Sequence, residues 1–153
     1  MERGTIERDL YVDASPEVVF DVVSDPEHVR RWWPDEADYP VEVGGSGRIG
    51  FRDAAQQISW VRFTVVEVQP HHRFSFRWTH DEGETAGRGN SFLVEFELTP
   101  EGSGTRLRMT ESGFRERGWS EAEVAAAYAD HVEGWSHFLP RLPEYAEQLG
   151  ARA

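Results

Sequence analysis

Two side chains that could take part in acid–base chemistry lie on one predicted helical face. Tyr128 and His131 are three residues apart and Trp135 follows four residues later, so the three point the same way on an α-helix. His131 could orient a ligand or act as an acid or base. The competing interpretation is a hydrogen-bonded core histidine. General acid–base catalysis needs a second group converging on the same point, and we expect no inward carboxylate opposite this face. The catalytic residues therefore stay unknown.

The other histidines show no metal-ligand pattern. His71 and His72 follow a proline in a predicted turn, and His28, His80 and His137 have no ligand spacing with them. The chain has no cysteine, which excludes a thiolate zinc site, a disulfide and a cysteine nucleophile. We expect neither a metal nor a cofactor.

Aromatic side chains could form the wall of an apolar binding site, since the chain has six Trp and nine Phe. Trp32 and Trp33 end a short predicted helix, where one of them can anchor the core while the other borders a cleft. Ordinary core packing is the alternative for all these rings. The predicted ligand-binding residues are Trp33, Phe63, Phe76, Trp78, Phe92, Tyr128, His131 and Trp135.

The element that positions His131 is a long C-terminal helix predicted over residues 120–149. Its apolar residues keep a helical period throughout, and Ser120 with Glu123 forms a predicted capping box. Pro140 and Pro143 each remove a backbone donor. We expect a kink near residues 136–139, and two separate helices are the alternative.

Alternation of apolar and polar residues predicts strands before this helix. A strand and two short helices begin the chain, each helix starting at a cap-and-proline pair. A hairpin is predicted around the glycine-rich turn at residues 44–47. The predicted strands cover residues 5–13, 39–43, 48–52, 58–69, 73–79, 91–99 and 104–110.

Consecutive strands joined by short loops pair as an antiparallel meander, and its apolar face must be covered. The C-terminal helix is the only long segment that can cover it. A twisted sheet of six or seven strands curls, so one helix cannot close it over its whole width. We therefore expect a cleft between the sheet and the helix.

Short motifs along nearly the whole chain strengthen this prediction. They are Ser15-Pro16-Glu17-Val18-Val19-Phe20, Asp25-Pro26-Glu27, Arg31-Trp32-Trp33-Pro34, Val43-Gly44-Gly45, Gly104-Thr105-Arg106-Leu107, Ser112-Gly113-Phe114 and Gly134-Trp135. With these motifs the chain resembles the START-like (SRPBCC) superfamily, and within it the bacterial homologues of the activator of the 90-kDa heat-shock protein ATPase. The resemblance implies a single α+β domain over residues 1–153 with the helix-grip fold. That fold has a curved antiparallel sheet of six to seven strands, two short helices and one long C-terminal helix.

Three functions are compatible with this fold. The first is binding of a small hydrophobic or aromatic molecule in the cavity between the sheet and the C-terminal helix. The second is a cyclase, dehydratase or hydrolase-type enzyme acting in the same cavity. The third is a chaperone-linked stress protein, which only the resemblance implies. Whether the protein is an enzyme stays open.

The charge of the chain limits its partners. The 28 acidic and 16 basic residues give a net charge of −12, which repels a phosphate backbone and an anionic membrane surface. We therefore expect a small hydrophobic ligand as the partner, and neither nucleic acid nor a membrane. A homodimer is compatible with the sequence. The charged N-terminus and the lack of a long apolar run favour a cytoplasmic protein.

Overall fold

The computed structural model describes residues 4–79 and 84–151. Seven strands form one antiparallel sheet in the order β1-β7-β6-β5-β4-β3-β2. The strands are β1 (Thr5–Val12), β2 (Glu36–Asp38), β3 (Ser46–Arg52), β4 (Ile58–Gln69), β5 (Arg73–Trp78), β6 (Phe92–Glu101) and β7 (Gly104–Ser112). The helices are α1 (Pro16–Ser24), α2 (Pro26–Trp32), α3 (Glu121–Phe138) and α4 (Arg141–Ala151), with a 3₁₀ turn over Arg115–Arg117. This α+β helix-grip arrangement confirms the predicted fold class.

The predicted hairpin is wrong in its first strand. The strand that pairs with β3 is β2, which ends before the predicted segment at residues 39–43 begins. That segment is a loop, and the turn that follows it is held against β4, because Val65 bonds through its backbone to both Gly44 and Gly45. Val41 and Val43 in this loop are exposed. Val41 and Val43 are two residues apart, which matches the alternation of a strand, although neither side chain is buried.

Side-chain caps start the two short helices as the sequence predicts. The Ser15 side chain accepts a hydrogen bond from the Val18 amide, and the Asp25 side chain accepts one from the Glu27 amide. A proline occupies the first helical position in both cases, where the lack of an N–H costs nothing. α2 ends at Trp32, and Trp33 is its C-cap.

The C-terminal helical segment is interrupted at Leu139 and Pro140. The capping box of Ser120 and Glu123 starts α3 as predicted. The segment then divides into α3 and α4 instead of bending as one kinked helix, so the alternative of two helices is the observed one. The break comes slightly later than predicted, because Leu139 still donates to the Trp135 carbonyl whereas Pro140 has no N–H to donate.

The core lies between the sheet and the helices and is rich in stacked rings. Phe63 stacks on Tyr39 on one side and on Phe76 on the other, with ring centroids 4.2 Å apart in both pairs. The opposite face of the sheet carries ion pairs, such as Arg73 with Glu95. One face of the sheet is therefore buried and the other is solvated, as an antiparallel sheet allows.

α3 runs across the buried face of the sheet. The Tyr128 hydroxyl donates to the Thr5 carbonyl of β1, and Phe138 lies against Phe51 of β3, with ring centroids 6.3 Å apart. The helix thus reaches from one side of the sheet to the other. None of the helices in the described part of the chain has the length and hydropathy that a membrane span requires.

Candidate functional site

A fully buried carboxylate lies beneath α3. Glu111 belongs to β7, where the inward positions Thr105, Leu107 and Met109 are also completely buried. Since side chains alternate along a strand, Glu111 continues this inward series. Its exposed fraction is 0%. A carboxylate buried in this way is costly unless donors satisfy its oxygens.

Three ring N–H groups from two other elements satisfy Glu111. Trp78 of β5 donates its indole N–H to Oε2 at 2.8 Å, and Trp135 of α3 donates its indole N–H to Oε1 at 2.8 Å. Nδ1 of His131 lies 2.8 Å from the same Oε1. The carboxyl group therefore connects β7, β5 and α3 through side chains that are far apart in the sequence.

This arrangement fixes the hydrogen on His131. As a carboxylate Glu111 can only accept, so in this contact Nδ1 of His131 is the donor and carries the hydrogen. In the neutral ring Nε2 is then an acceptor. Nε2 has no hydrogen-bond partner among the described residues, and it is not one of their buried polar atoms that lack a partner. It is thus open to accessible space.

A cavity of about 130 Å³ lies next to this histidine, between the sheet and α3. Its walls are mainly aromatic, and Asp130, which is exposed, lies at its mouth. The lining residues are Trp33, Phe51, Trp78, Asp130, His131, Gly134, Trp135 and Phe138. Side chains of β3, β5 and α3 meet in this cavity with that of Trp33, which caps the end of α2.

The structure brings four of the predicted ligand-binding residues together around the cavity: Trp33, Trp78, His131 and Trp135. The Trp33 ring lies 5.0 Å from that of Trp78 and 5.1 Å from that of Trp135, measured between centroids. Its neighbour Trp32 points into the core and donates to the Val22 carbonyl. The two tryptophans at the end of α2 thus divide between core and cavity.

The other four predicted residues do not line the cavity. Phe63 and Phe76 stack on each other in the core. Phe92 packs on the His131 ring, with centroids 4.5 Å apart, and supports the histidine from the sheet. Tyr128 is held by its bond to the Thr5 carbonyl.

Sequence reasoning missed Glu111 and with it the partner of His131. The predicted strand ended at residue 110, whereas β7 continues to Ser112. The apolar alternation through Leu107 and Met109 would have placed Glu111 inward if the strand had been extended by one residue. The expectation that no inward carboxylate faces the histidine is therefore wrong. Phe51, Asp130, Gly134 and Phe138 were also missed.

The remaining histidines have separate surroundings. Nδ1 of His28 lies 2.7 Å from the Tyr145 hydroxyl, and His71 packs against Phe20. His80 lies outside the described residues. In the part of the chain that the structure describes, no group of three or more His, Cys, Asp or Glu side chains is placed to hold a metal ion.

One ring of the aromatic stack, that of Tyr39, is titratable. Tyr39 is 5% exposed, and its hydroxyl donates to the Ser24 carbonyl at 2.8 Å. Burial raises the pKa of Tyr39 well above its ordinary value of 10.0, and the negative charge of Asp25 raises it further. Both effects favour the neutral phenol in the folded protein.

Comparisons with solved structures show the same fold. A crystal structure of a protein from Nitrosomonas europaea superposes with a TM-score of 0.78 at 15% identity, covering 95% of this chain and 96% of that one. The Aha1 dimer from Colwellia psychrerythraea, solved in solution, gives 0.65 at 21% identity, covering 94% and 96%. DynU16, a protein from the dynemicin biosynthetic locus, gives 0.68 at 28% identity, covering 94% of this chain and 47% of that one.

Sequence comparison identifies the family. No curated protein sequence matches the chain significantly. The family model described as "Activator of Hsp90 ATPase homolog 1-like protein" matches residues 13–147, which is most of the chain. The chain therefore belongs to the family of Activator of Hsp90 ATPase homolog 1-like proteins.

Proposed function

We propose that this protein binds a small aromatic or hydrophobic molecule in the cavity between the sheet and α3. The observation that carries the proposal is the aromatic lining of that cavity, to which three Trp and two Phe side chains contribute. Ligand sites are typically apolar with a few placed polar groups, and His131 is such a group here.

The size of the cavity limits the ligand. An apolar cavity of roughly 150 Å³ is large enough to bind benzene. The cavity here, at about 130 Å³, is similar. The part of the ligand that the cavity can enclose is therefore a single ring with few substituents.

The tryptophans provide a direct test. In protein labelled with ¹⁵N at Trp, each indole N–H gives its own resonance, and toluene serves as the probe. Saturable shifts are expected for Trp33, Trp78 and Trp135, which line the cavity. The resonance of Trp60, which is 43% exposed on the sheet, should not move.

A substitution at Gly134 tests whether the probe enters this cavity. A Cβ placed on Gly134 meets no atom within 4 Å, so Gly134→Leu can fill the space without a backbone clash. We expect this variant to fold and to lose the toluene-dependent shifts. Ala126→Leu, at an exposed position of the same helix, is the matched control and should keep them. The proposal fails if toluene produces no saturable shift in the wild type, or if Gly134→Leu binds it unchanged.

An enzyme is a second candidate, because the contact between Glu111 and His131 provides an oriented histidine at the cavity. A carboxylate that holds one ring nitrogen and leaves the other free is a recurrent arrangement for proton transfer. The predicted cyclase, dehydratase or hydrolase-type activity would use His131 as the acid or base.

Two partner proposals rest on the comparisons. The neighbour from Colwellia psychrerythraea is described as a dimer, which supports a homodimer for this chain. A chaperone-linked role is supported by the name of the family alone.

A further inference from the structure

We infer that the ligand carries a hydroxyl group on its ring, and that this hydroxyl donates a hydrogen bond to Nε2 of His131. The inference rests on the proposed function, because it names the chemical class of the molecule in the same cavity. It concerns recognition and requires no proton transfer.

The first argument is the state of the histidine. As a carboxylate Glu111 can only accept, so the hydrogen of the neutral His131 ring lies on Nδ1 and Nε2 presents a lone pair. The side chain of His131 is 13% exposed, and Phe92 and Trp78 pack against its ring at centroid distances of 4.5 and 5.5 Å. The ring therefore cannot turn away from the cavity without losing these contacts.

The second argument is the set of polar groups that line the cavity. The indole N–H groups of Trp78 and Trp135 are already donated to Glu111. The indole N–H of Trp33 has no hydrogen-bond partner among the described residues. Apart from the exposed Asp130 carboxylate at the mouth, the side chains that line the cavity therefore offer one acceptor without a described partner, Nε2 of His131, and this one donor. A hydroxyl group can donate and accept at the same time, and it matches this pair.

The third argument is charge. Asp130 lies at the mouth of the cavity, and the whole chain carries a net charge of −12. Both disfavour an anionic ligand such as a ring carboxylate. A neutral phenol satisfies the acceptor without bringing a second negative charge next to Glu111.

Phenol and toluene form a matched pair of probes, because they share a shape and differ in the hydroxyl. Burying a hydroxyl without a partner is costly, so a purely apolar cavity would prefer toluene. We expect wild-type protein to bind phenol at least as tightly as toluene. In His131→Phe, phenol affinity should fall by about tenfold or more, while toluene affinity changes by less than about twofold.

A measurement on the wild type keeps the test decisive if His131→Phe does not fold. The ¹⁵N resonance of Nε2 in His131 should shift when phenol binds and stay in place when toluene binds. If neither probe binds, the proposed function itself fails. Three results would overturn the hydroxyl inference while leaving the cavity as a binding site. They are binding of toluene without binding of phenol, an equal loss of affinity for both probes in His131→Phe, and an Nε2 resonance that does not shift with phenol.

Discussion

Replacing Glu111 by Gln tests whether its carboxylate holds the site together. The substitution keeps the size and shape of the side chain but converts one acceptor oxygen into an NH₂ donor. In the wild type Oε2 accepts from Trp78, and Oε1 accepts from both Trp135 and His131. In either orientation of the amide, one indole N–H therefore faces another donor.

The burial of each tryptophan determines which orientation of the new side-chain amide has the lower free energy. Trp135 is 3% exposed and cannot replace its acceptor with water. Trp78 is only partly buried, so its N–H can reach solvent. We expect the NH₂ group to face Trp78, while the amide oxygen keeps the bonds from Trp135 and His131. The new NH₂ group occupies the fully buried position of Oε2 and faces a donor. Because an unsatisfied buried donor costs about 1–3 kcal/mol, Glu111→Gln should lower the free energy of unfolding by that amount.

The assay is urea unfolding of Glu111→Gln, with Glu95→Gln as the matched control. Glu95 undergoes the same chemical change on the solvated face of the sheet, where its side chain is 31% exposed and its partner is Arg73 at 3.1 Å. That change should cost less than about 1 kcal/mol. The Trp78 indole N–H should also exchange with solvent faster than in the wild type. Equal costs for the two variants, or faster exchange at Trp135 instead of Trp78, would refute the reasoning.

Two further predictions concern the core around the site. Trp135→Ala should lower the free energy of unfolding by about 3–5 kcal/mol in urea unfolding, because it removes a large buried ring and the donor to Oε1 of Glu111; a loss under about 1 kcal/mol would contradict the assigned packing. Tyr39→Phe should cost about 1 kcal/mol at neutral pH, since the Ser24 carbonyl loses its donor. Because the pKa of Tyr39 is raised in the folded protein, its stabilising contribution is complete below about pH 10 and is lost as the pH rises above that value. Urea unfolding at several alkaline pH values should therefore show a steeper loss for the wild type than for Tyr39→Phe, and identical slopes would contradict this assignment.

The fold could be predicted from the sequence where local signals agreed with burial. β4, β5 and β6 start and end within a residue or two of the predicted bounds, because apolar side chains alternate along them and one face is buried. The segment at residues 39–43 alternates in the same way, yet it is a loop. Its two valines are exposed, and the turn that follows it is held by backbone hydrogen bonds from Gly44 and Gly45 to Val65 of β4. Such bonds join positions that are distant in sequence and leave no periodic signal.

The site could be predicted only in part, for a similar reason. Helical spacing placed His131 and Trp135 on one face, and both line the cavity. Composition could not distinguish a ring that lines the cavity, such as Trp78, from one that stacks in the core, such as Phe76, because both belong to the same strand and both are aromatic. That division depends on how far α3 lies from the sheet, which no local pattern encodes.

The burial of Glu111 argues for a role beyond stability. Buried polar networks can often be replaced by apolar side chains of similar volume without loss of stability, and sometimes with a gain. The neighbouring inward positions Leu107 and Met109 show that β7 accommodates apolar residues on this face. A leucine at position 111 with phenylalanines at the two tryptophan positions would fill comparable space without any donor to satisfy. What such a core would lose is the bond to His131, and with it the orientation that leaves Nε2 accessible on a residue that lines the cavity. The proposed ligand site therefore gives the buried carboxylate a role, which is to orient His131 toward the molecule that we propose it binds.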